Sequence, residues 1–353
     1  MAAINLAEAF SKKVAESFKQ TSLTDSATGH DYSFAGVRTV KVWSIDTVPL
    51  VDYVRNGANR YGTPVELGDT TQEMTMRDEK AFTFTIDKGN QSDQYNIKGA
   101  TRALRRETEQ VVVPYVDKYR FNEWCQNAGM IVGLSAAPTK SDIVEKIFDA
   151  GAAMSDALVP DSGRTLFIPN QYFKLLALSD EFIKIGDLGK KSVSRGEVGQ
   201  VYGMTVKAIP STYLPANVYF FIKYKGSTVD PVKLNDTKIH QDPPGIGGNL
   251  VEGRIYHDAF VLGHKANGLY VAAASANVTA NPTVNDTTGT VTITRKGVCR
   301  YTTDGTDPRY SSTAQVYSNT FPAEVGTVVK AVDVESNKFP SAVVTHTTTT
   351  SAG

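Results

Sequence analysis

The chain has 353 residues, enough for two compact domains, and its 37 basic side chains are balanced by 37 acidic ones. This balance excludes a global positive field that attracts nucleic acid, so any contact with DNA has to be local. No apolar run approaches the roughly 20 residues that span a bilayer, and no basic leader precedes an apolar core, which predicts a cytosolic protein without a membrane partner. The two cysteines, Cys125 and Cys299, lie far apart and are predicted to be buried free thiols.

An amphipathic helix is predicted at the N-terminus. Apolar residues recur there every four positions among lysines and a glutamate, at Leu6, Phe10, Val14 and Phe18. A short helix with one narrow apolar stripe is marginal alone, so it needs a groove on its own domain or on a neighbouring subunit. The polar residues 21–34 then form a connector.

A long β-ribbon is predicted next. Val37–Ile45 and Ala81–Lys88 are rich in β-branched and aromatic residues and have the pattern of strands. The long segment between them contains Thr71–Met76, which alternates again, so the segment is predicted to be a ribbon with its tip near residues 55–69. Because a two-stranded ribbon is marginally stable in water, we expect it to rest on something outside itself.

The strongest helical pattern covers residues 96–127. Apolar residues at spacings of three or four include Leu104, Val111 and Tyr115. At about 1.5 Å per residue this helix would be on the order of 45 Å long. Pro114 removes one backbone donor and crowds the preceding turn, so a kink is expected there.

Shorter elements follow. A second amphipathic helix is predicted to begin at Ser141 and a short one to cover Tyr172–Leu178, with strands at residues 165–168, 204–209 and 218–224. This mixture indicates an α/β or α+β fold. The strands are too short and too irregularly spaced for a doubly wound sheet.

The composition changes near residue 275. Residues 276–353 are rich in threonine, and their short alternating runs are separated by Gly, Asp, Asn and Pro. Several short strands at this spacing predict a small β-sandwich. We therefore expect a domain boundary near residue 275.

The candidates for catalysis or metal binding fit structural roles better. His240, His257 and His264 lack the four-residue helical spacing of a metal site. Asp304 and Asp307 lack the alternating ligands of a calcium loop and are expected to shape a turn. The sequence therefore predicts no catalytic, cofactor-binding or metal-binding residues and no enzymatic activity.

A cluster of arginines on the long helix has two interpretations. Arg102, Arg105 and Arg106 could contact DNA phosphates without sequence specificity. Glu107 and Glu109 lie nearby and favour an ion-paired helix face instead.

Several stretches have a combined pattern that is specific. They are the loop run from Tyr61 to Glu73 continuing over Phe82–Asn90, the N-terminal Asn5–Glu8 with Ser11–Val14, and Ala103–Arg106 leading to Val111–Pro114. Together they resemble the major capsid proteins of tailed bacteriophages, which have the Hong Kong 97 fold. The resemblance implies a structural shell protein of the α+β class.

The resemblance implies a division of residues 1–272, the shell domain. The expected parts are an N-arm at 1–34, an extended β-ribbon loop at 37–90, a spine helix at 96–127, an axial domain at 141–250 and a returning peripheral strand at 251–272. It further implies contacts between subunits at Leu6, Phe10, Val14, Phe18, Tyr61, Pro64, Leu67 and Gln72. The loop has no lysine between Val51 and Asp78, so a crosslink from a loop lysine is not implied.

The same resemblance implies partners and a location. Copies of the chain would form the hexamers and pentamers of an icosahedral head, assembled in the host cytoplasm and retained in the virion. The expected partners are a separate scaffolding protein, a portal and packaged double-stranded DNA.

The C-terminal residues 276–353 resemble a second family. The run from Cys299 to Pro308 and the run Val328–Val332 are similar to the immunoglobulin-like C-terminal module of chitobiase type. Attached to a coat protein, this module would lie on the exterior. A stacking face for glycans is one hypothesis, at Tyr301, Tyr310 and Tyr317, and core or corner tyrosines are the alternative.

Two other functions stay open from the sequence alone. An encapsulin-like compartment protein would share the fold, and a secreted carbohydrate-binding adhesin could have the C-terminal module. The absence of a signal sequence argues against the adhesin, and the exterior module and the loop run favour the virus.

Overall fold

The computed structural model describes residues 22–29, 32, 34, 38–45, 50–56, 59–64, 66, 69–89, 99–179 and 197–349. The predicted N-terminal helix with Leu6, Phe10, Val14 and Phe18 lies outside these residues, as does Leu67.

The described residues form twenty strands and four α-helices. The strands are β1 (Thr39–Ile45), β2 (Asp69–Thr75), β3 (Asp78–Asp87), β4 (Met130–Leu134), β5 (Arg164–Pro169), β6 (Glu197–Val201), β7 (Met204–Ile209), β8 (Val218–Tyr224), β9 (Thr228–Val229), β10 (Val232–Gln241), β11 (Gly248–His257), β12 (Phe260–Val261), β13 (Leu269–Ala274), β14 (Thr283–Thr287), β15 (Thr290–Thr294), β16 (Val298–Thr302), β17 (Gln315–Val316), β18 (Phe321–Pro322), β19 (Val328–Val334) and β20 (Val344–Thr347). The helices are α1 (Ala100–Glu107), α2 (Val113–Gln126), α3 (Ile143–Asp156) and α4 (Asn170–Ala177).

A mixed six-stranded sheet in the order β4-β13-β8-β5-β7-β6 forms the centre of the larger part of the chain. Strand β8 is apolar along most of its length because both of its faces are covered. Phe221 packs on one face with Phe121 and Trp124 of α2. Phe220 and Ile222 lie in a second cluster, which includes the apolar residues of α3. This layered arrangement confirms the predicted α+β class and excludes a doubly wound sheet.

The predicted ribbon is present. Strands β1 and β2 pair antiparallel over their whole length, with Trp43 opposite Thr71 and Ile45 opposite Asp69. Strand β3 continues from β2 and joins a separate three-stranded sheet in the order β10-β11-β3. The long loop of the sequence is thus a ribbon whose second strand leads directly into a small peripheral sheet.

The long helix is interrupted by a π-helical turn at Thr108–Val112, between α1 and α2. Pro114 lies in the first turn of α2, immediately after this turn. A π-turn widens the backbone ladder, so the missing N–H and the bulk of the proline ring are accommodated there. The helix ends at Gln126, and its predicted beginning at residue 96 lies outside the described residues.

Residues 283–347 form two small sheets, in the orders β14-β15-β18 and β17-β16-β19-β20. Their apolar side chains meet in one cluster that includes Val291, Ile293, Cys299 and Val329. Two sheets around a shared core are the arrangement of a β-sandwich, as the sequence predicted. Both Cys125 and Cys299 are buried and free, which confirms their prediction.

The structure differs from the sequence interpretation in three details. Strand β13 was assigned in part to the peripheral strand 251–272, yet it is an inner strand of the central sheet, where its alanines fit between β4 and β8. Strand β10 was placed in the axial region 141–250, yet it pairs with β11 in the peripheral sheet, exposed on most of its length. Helix α3 begins at Ile143, two residues after the predicted start at Ser141, and Asp142 accepts a hydrogen bond from the Thr139 N–H just before the helix.

Candidate assembly interface

The ribbon has one apolar face that the chain covers and one that it leaves exposed. In β1, Val42 is buried among Met74, Met76 and other residues below the ribbon. On the opposite face Trp43 is 68% exposed and Ile45 is 71% exposed. Exposed apolar side chains that adjoin one another mark sites of protein contact.

The tip of the ribbon has exposed apolar side chains as well. Tyr61 is 85% exposed and packs edge-on against Tyr53, with ring centroids 5.0 Å apart. The Val54 N–H donates to the Arg60 carbonyl oxygen at 3.1 Å and closes the loop. Further exposed apolar residues here are Leu50, Val51 and Val54. The predicted contact residues Tyr61 and Pro64 both lie on this exposed tip.

Gln72, in contrast, has its partners inside the chain. Its amide nitrogen donates to the Val261 carbonyl oxygen at 2.8 Å, and its amide oxygen accepts the Gly263 N–H at 2.8 Å. The side chain therefore attaches the root of the ribbon to β12 and the residues after it. Its prediction as a contact between subunits is untested, and the structure adds this internal role.

Buried polar side chains hold the ribbon root to the spine helix. The Tyr115 hydroxyl donates to Asp78 at 3.0 Å, and the Tyr119 hydroxyl donates to Asp258 at 2.8 Å. His257 is fully buried, with its Nε2 3.0 Å from Asp78 Oδ2. Burial raises the pKa of both tyrosines, so they stay neutral and act as hydrogen-bond donors to these carboxylates. Burial also lowers the pKa of His257, which favours its neutral form.

Residues 22–29, which we call the strap, are also fixed by buried charges. Asp117 accepts hydrogen bonds from the Ser22 hydroxyl and the Leu23 N–H, each at 2.8 Å. Arg120 donates to the Thr24 hydroxyl at 2.9 Å and to Asp25 at 2.7 Å. These bonds fix the beginning of the strap beside α2.

The end of the strap meets two further buried charged side chains, Lys223 and Asp230. The Lys223 ammonium donates to the Ala27 carbonyl oxygen at 2.5 Å and lies 4.5 Å from the centre of the Trp124 ring. Asp230 accepts the Gly29 N–H at 3.1 Å and the Trp124 indole N–H at 2.8 Å. Both charged side chains are completely buried.

This environment predicts a pH dependence of stability. Burial lowers the pKa of Lys223 to about 8 from its ordinary value of 10.5, with Asp230 opposing the shift. Above about pH 8 the unfolded chain binds a proton that the folded chain does not, so stability should rise with pH until about 10.5. Between about pH 8 and 10.5 the free energy of unfolding of the wild type should increase relative to that of Lys223→Met. Denaturant titrations at successive pH values measure this difference. Parallel pH profiles for the two proteins would contradict the assignment.

The other predicted residues are distributed as follows. Leu104 and Tyr115 are half-buried on the spine helix, whereas Val111 is exposed. Arg105 Nε lies 2.8 Å from Glu109 Oε1, one turn along the helix, which agrees with an ion-paired face. Contact of the arginine cluster with DNA stays a prediction.

The three tyrosines proposed as a glycan face do not share an exposed surface. Tyr301 and Tyr317 are buried in the core of the sandwich. There Tyr301 stacks on Phe321, and Tyr317 meets Phe321 edge-on. Tyr310 lies elsewhere, and its hydroxyl donates to the Asn127 carbonyl oxygen at 2.6 Å. These positions agree with the core and corner alternative.

Asp304 has the role in a turn that the sequence favoured. Its carboxylate accepts the Thr306 N–H at 3.0 Å and the Thr313 hydroxyl at 2.6 Å. Within the part of the chain that the structure describes, no three His, Cys, Asp or Glu side chains are grouped so as to hold a metal ion. No described helix is both long and apolar enough to cross a bilayer.

Comparison with solved structures identifies this architecture. A structure of Mycobacterium phage Che8 superimposes with a TM-score of 0.60 at 16% identity, covering 75% of this chain and 96% of that one. The capsid of Cyanophage P-SCSP1u gives 0.61 at 13% identity, covering 76% and 92%. The mature capsid of bacteriophage PhiM1 gives 0.60 at 10% identity, also covering 76% and 92%.

The chain has the phage capsid fold. The expected capsid architecture is thereby confirmed, and the ribbon and spine helix are elements of that fold. The Fn3 associated family model matches residues 290–348, which agrees with the predicted immunoglobulin-like module. No curated protein matches the chain by sequence.

Trp43 and Ile45 are the contact candidates that sequence reasoning missed. The signal was present, because β1 has valines at 40 and 42 on one face and apolar residues at 43 and 45 on the other. A ribbon strand that is apolar on both faces needs two covering surfaces. The chain supplies only one of them to the described residues.

Proposed function

We propose that this chain is the major capsid protein of a tailed double-stranded DNA phage. The proposal is supported by the combination of the capsid fold with a ribbon on which Trp43, Ile45 and Tyr61 are exposed. In a monomer this apolar surface has no function, whereas in a shell it supplies a contact repeated at every subunit. The role is structural and not enzymatic.

The contacts follow from the geometry of the ribbon. Its exposed face and tip, including Tyr61 and Pro64, would lie on a neighbouring subunit, and Leu67 is a further predicted contact residue. The N-terminal stripe at Leu6, Phe10, Val14 and Phe18 would dock on another. Hexamers and pentamers built in this way would assemble in the host cytoplasm with a scaffolding protein and a portal, and would remain in the virion.

The remaining parts of the proposal concern the two sides of the shell. Packaged DNA would make local, non-specific contacts, because the chain has no net charge. Residues 276–353 would lie on the exterior as a decoration module. Two of the three tyrosines lie in the core of this module, so a glycan would not stack on a face formed by all three.

Negative-stain microscopy of the purified full-length protein, with and without a candidate scaffolding protein, tests the assembly. We expect closed icosahedral particles under at least one condition. Protein that stays monomeric under all conditions would count against a shell function. Particles isolated from cells that enclose a cargo enzyme and no DNA would favour the encapsulin-like alternative.

A further inference from the structure

The C-terminal module contacts the end of the spine helix with two adjacent side chains. Arg309 Nη1 donates to the carbonyl oxygens of Ala128 at 2.8 Å and Gly129 at 3.0 Å. The Tyr310 hydroxyl donates to the Asn127 carbonyl oxygen at 2.6 Å. These three successive acceptors belong to the residues that join α2, which ends at Gln126, to β4, which begins at Met130. A residue pair of the module thus holds the turn that follows the spine helix.

Arg309 is held in position before it makes these bonds. Its Nη2 donates to Asp307 Oδ2 at 2.7 Å, and its Nε lies 3.1 Å from Asp307 Oδ1. The guanidinium also lies 5.2 Å from the centre of the Tyr310 ring. A fork fixed by a carboxylate and an aromatic ring loses little side-chain freedom on contact.

The contact is also apolar. Phe339 of the module is buried in the same cluster as Phe121 and Trp124, and Val278 packs against that cluster. The Phe339 N–H donates to the Asn277 carbonyl oxygen at 2.8 Å, which ties this part of the module to the connecting segment. The main core of the shell part therefore includes a side chain from the module.

Tyr310 also contacts Gly263, a residue that holds the root of the ribbon. Gly263 lies against Tyr310 so closely that a Cβ there would be 2.8 Å from the Cβ of Tyr310. The Gly263 N–H is the donor to Gln72, which holds the ribbon root. A cavity of about 330 Å³, lined by Ser44, Thr71 and the loop from Asp304, separates other parts of the root from the module. The described link from module to ribbon root therefore passes through Gly263.

We propose that the C-terminal module is a brace of the subunit. It holds the turn that follows the spine helix, completes the main core and supports the ribbon root, so it has a fixed orientation and is not a freely tethered appendage. This role belongs to the single chain and does not depend on whether the chain assembles. Its failure and the failure of the proposed shell function are thus distinguishable.

Calorimetry and limited proteolysis of the unassembled full-length chain test the brace. The wild type should unfold its two parts in one transition and resist cleavage in residues 275–282. In Arg309→Met/Tyr310→Ala the module should unfold separately, about 5 °C or more below the rest, and cleavage in that segment should be at least about tenfold faster.

Arg300→Met is the matched control, because it removes the same charge from the middle of β16. Tyr310→Phe, which keeps the ring and loses only the bond to Asn127, should shift the transition in the same direction by less. Two separate transitions in the wild type, or a double variant that behaves like Arg300→Met, would overturn the proposal.

Discussion

Replacing Trp43 and Ile45 by serine should abolish particle formation while leaving the monomer folded. Both side chains are more than two-thirds exposed, so their loss removes little packing inside the chain. Truncating a large apolar side chain that is buried between two subunits typically costs about 2–4 kcal/mol of binding free energy. This loss recurs at every contact of the shell. At about 1.4 kcal/mol per factor of ten, each contact would weaken by roughly 30-fold to 1000-fold. Light scattering and negative-stain microscopy measure assembly, and circular dichroism measures the fold.

Lys41→Ser is the control for this experiment. Lys41 lies on the same strand, is exposed, and forms a loose ion pair with Glu73 at 3.9 Å. An exposed pair of this kind contributes about 0–1 kcal/mol, so the variant should assemble. If Trp43→Ser/Ile45→Ser assembles as well as Lys41→Ser, the exposed face is not a contact surface. If the double variant unfolds, the face is covered within its own subunit.

The elements with strong local patterns could be predicted from the sequence. Strands β7 and β8 have the predicted bounds, because runs of apolar and β-branched residues end at clear turn signals. The ribbon was predicted because its strands alternate while the segment between them has glycine and proline. Local pattern is sufficient where one side of an element is buried.

The buried charges could not be predicted from local pattern. Asp117, Lys223 and Asp230 are polar residues whose burial depends on partners about 90 to 200 positions away in the chain. In the sequence such residues indicate a solvated surface. Only the tertiary structure shows that they converge on the strap.

The junction at Arg309 and Tyr310 was missed for a related reason. The run from Thr303 to Pro308 has the composition of an exposed turn, and the structure confirms the turn at Asp304. The side chains of the two residues that follow it extend beyond the module and contact residues 127–129, directly after α2. A turn motif predicts its own backbone but not the surface beneath it.

Replacing Asp230 by leucine should destabilise the chain by about 3–5 kcal/mol, because each buried donor left without an acceptor costs about 1–3 kcal/mol. The carboxylate accepts hydrogen bonds from the Trp124 indole, from the Gly29 N–H and from the Thr228 hydroxyl, the last at 2.6 Å. Leucine leaves these donors without an acceptor and leaves the Lys223 ammonium without its compensating charge. Urea denaturation of the unassembled chain measures the loss, and hydrogen exchange should show lost protection in the strap.

Two further variants separate charge from shape. Asp230→Asn keeps the size and one acceptor, so we expect a smaller loss of about 1–3 kcal/mol. Asp236→Leu replaces a half-exposed aspartate on β10 and should stay within about 0.5 kcal/mol of the wild type. Because the strap joins the predicted N-terminal helix to the core, its release in Asp230→Leu should also weaken assembly under conditions in which the chain is still folded. If Asp230→Leu were as stable as Asp236→Leu, the buried charges would not be what holds the strap.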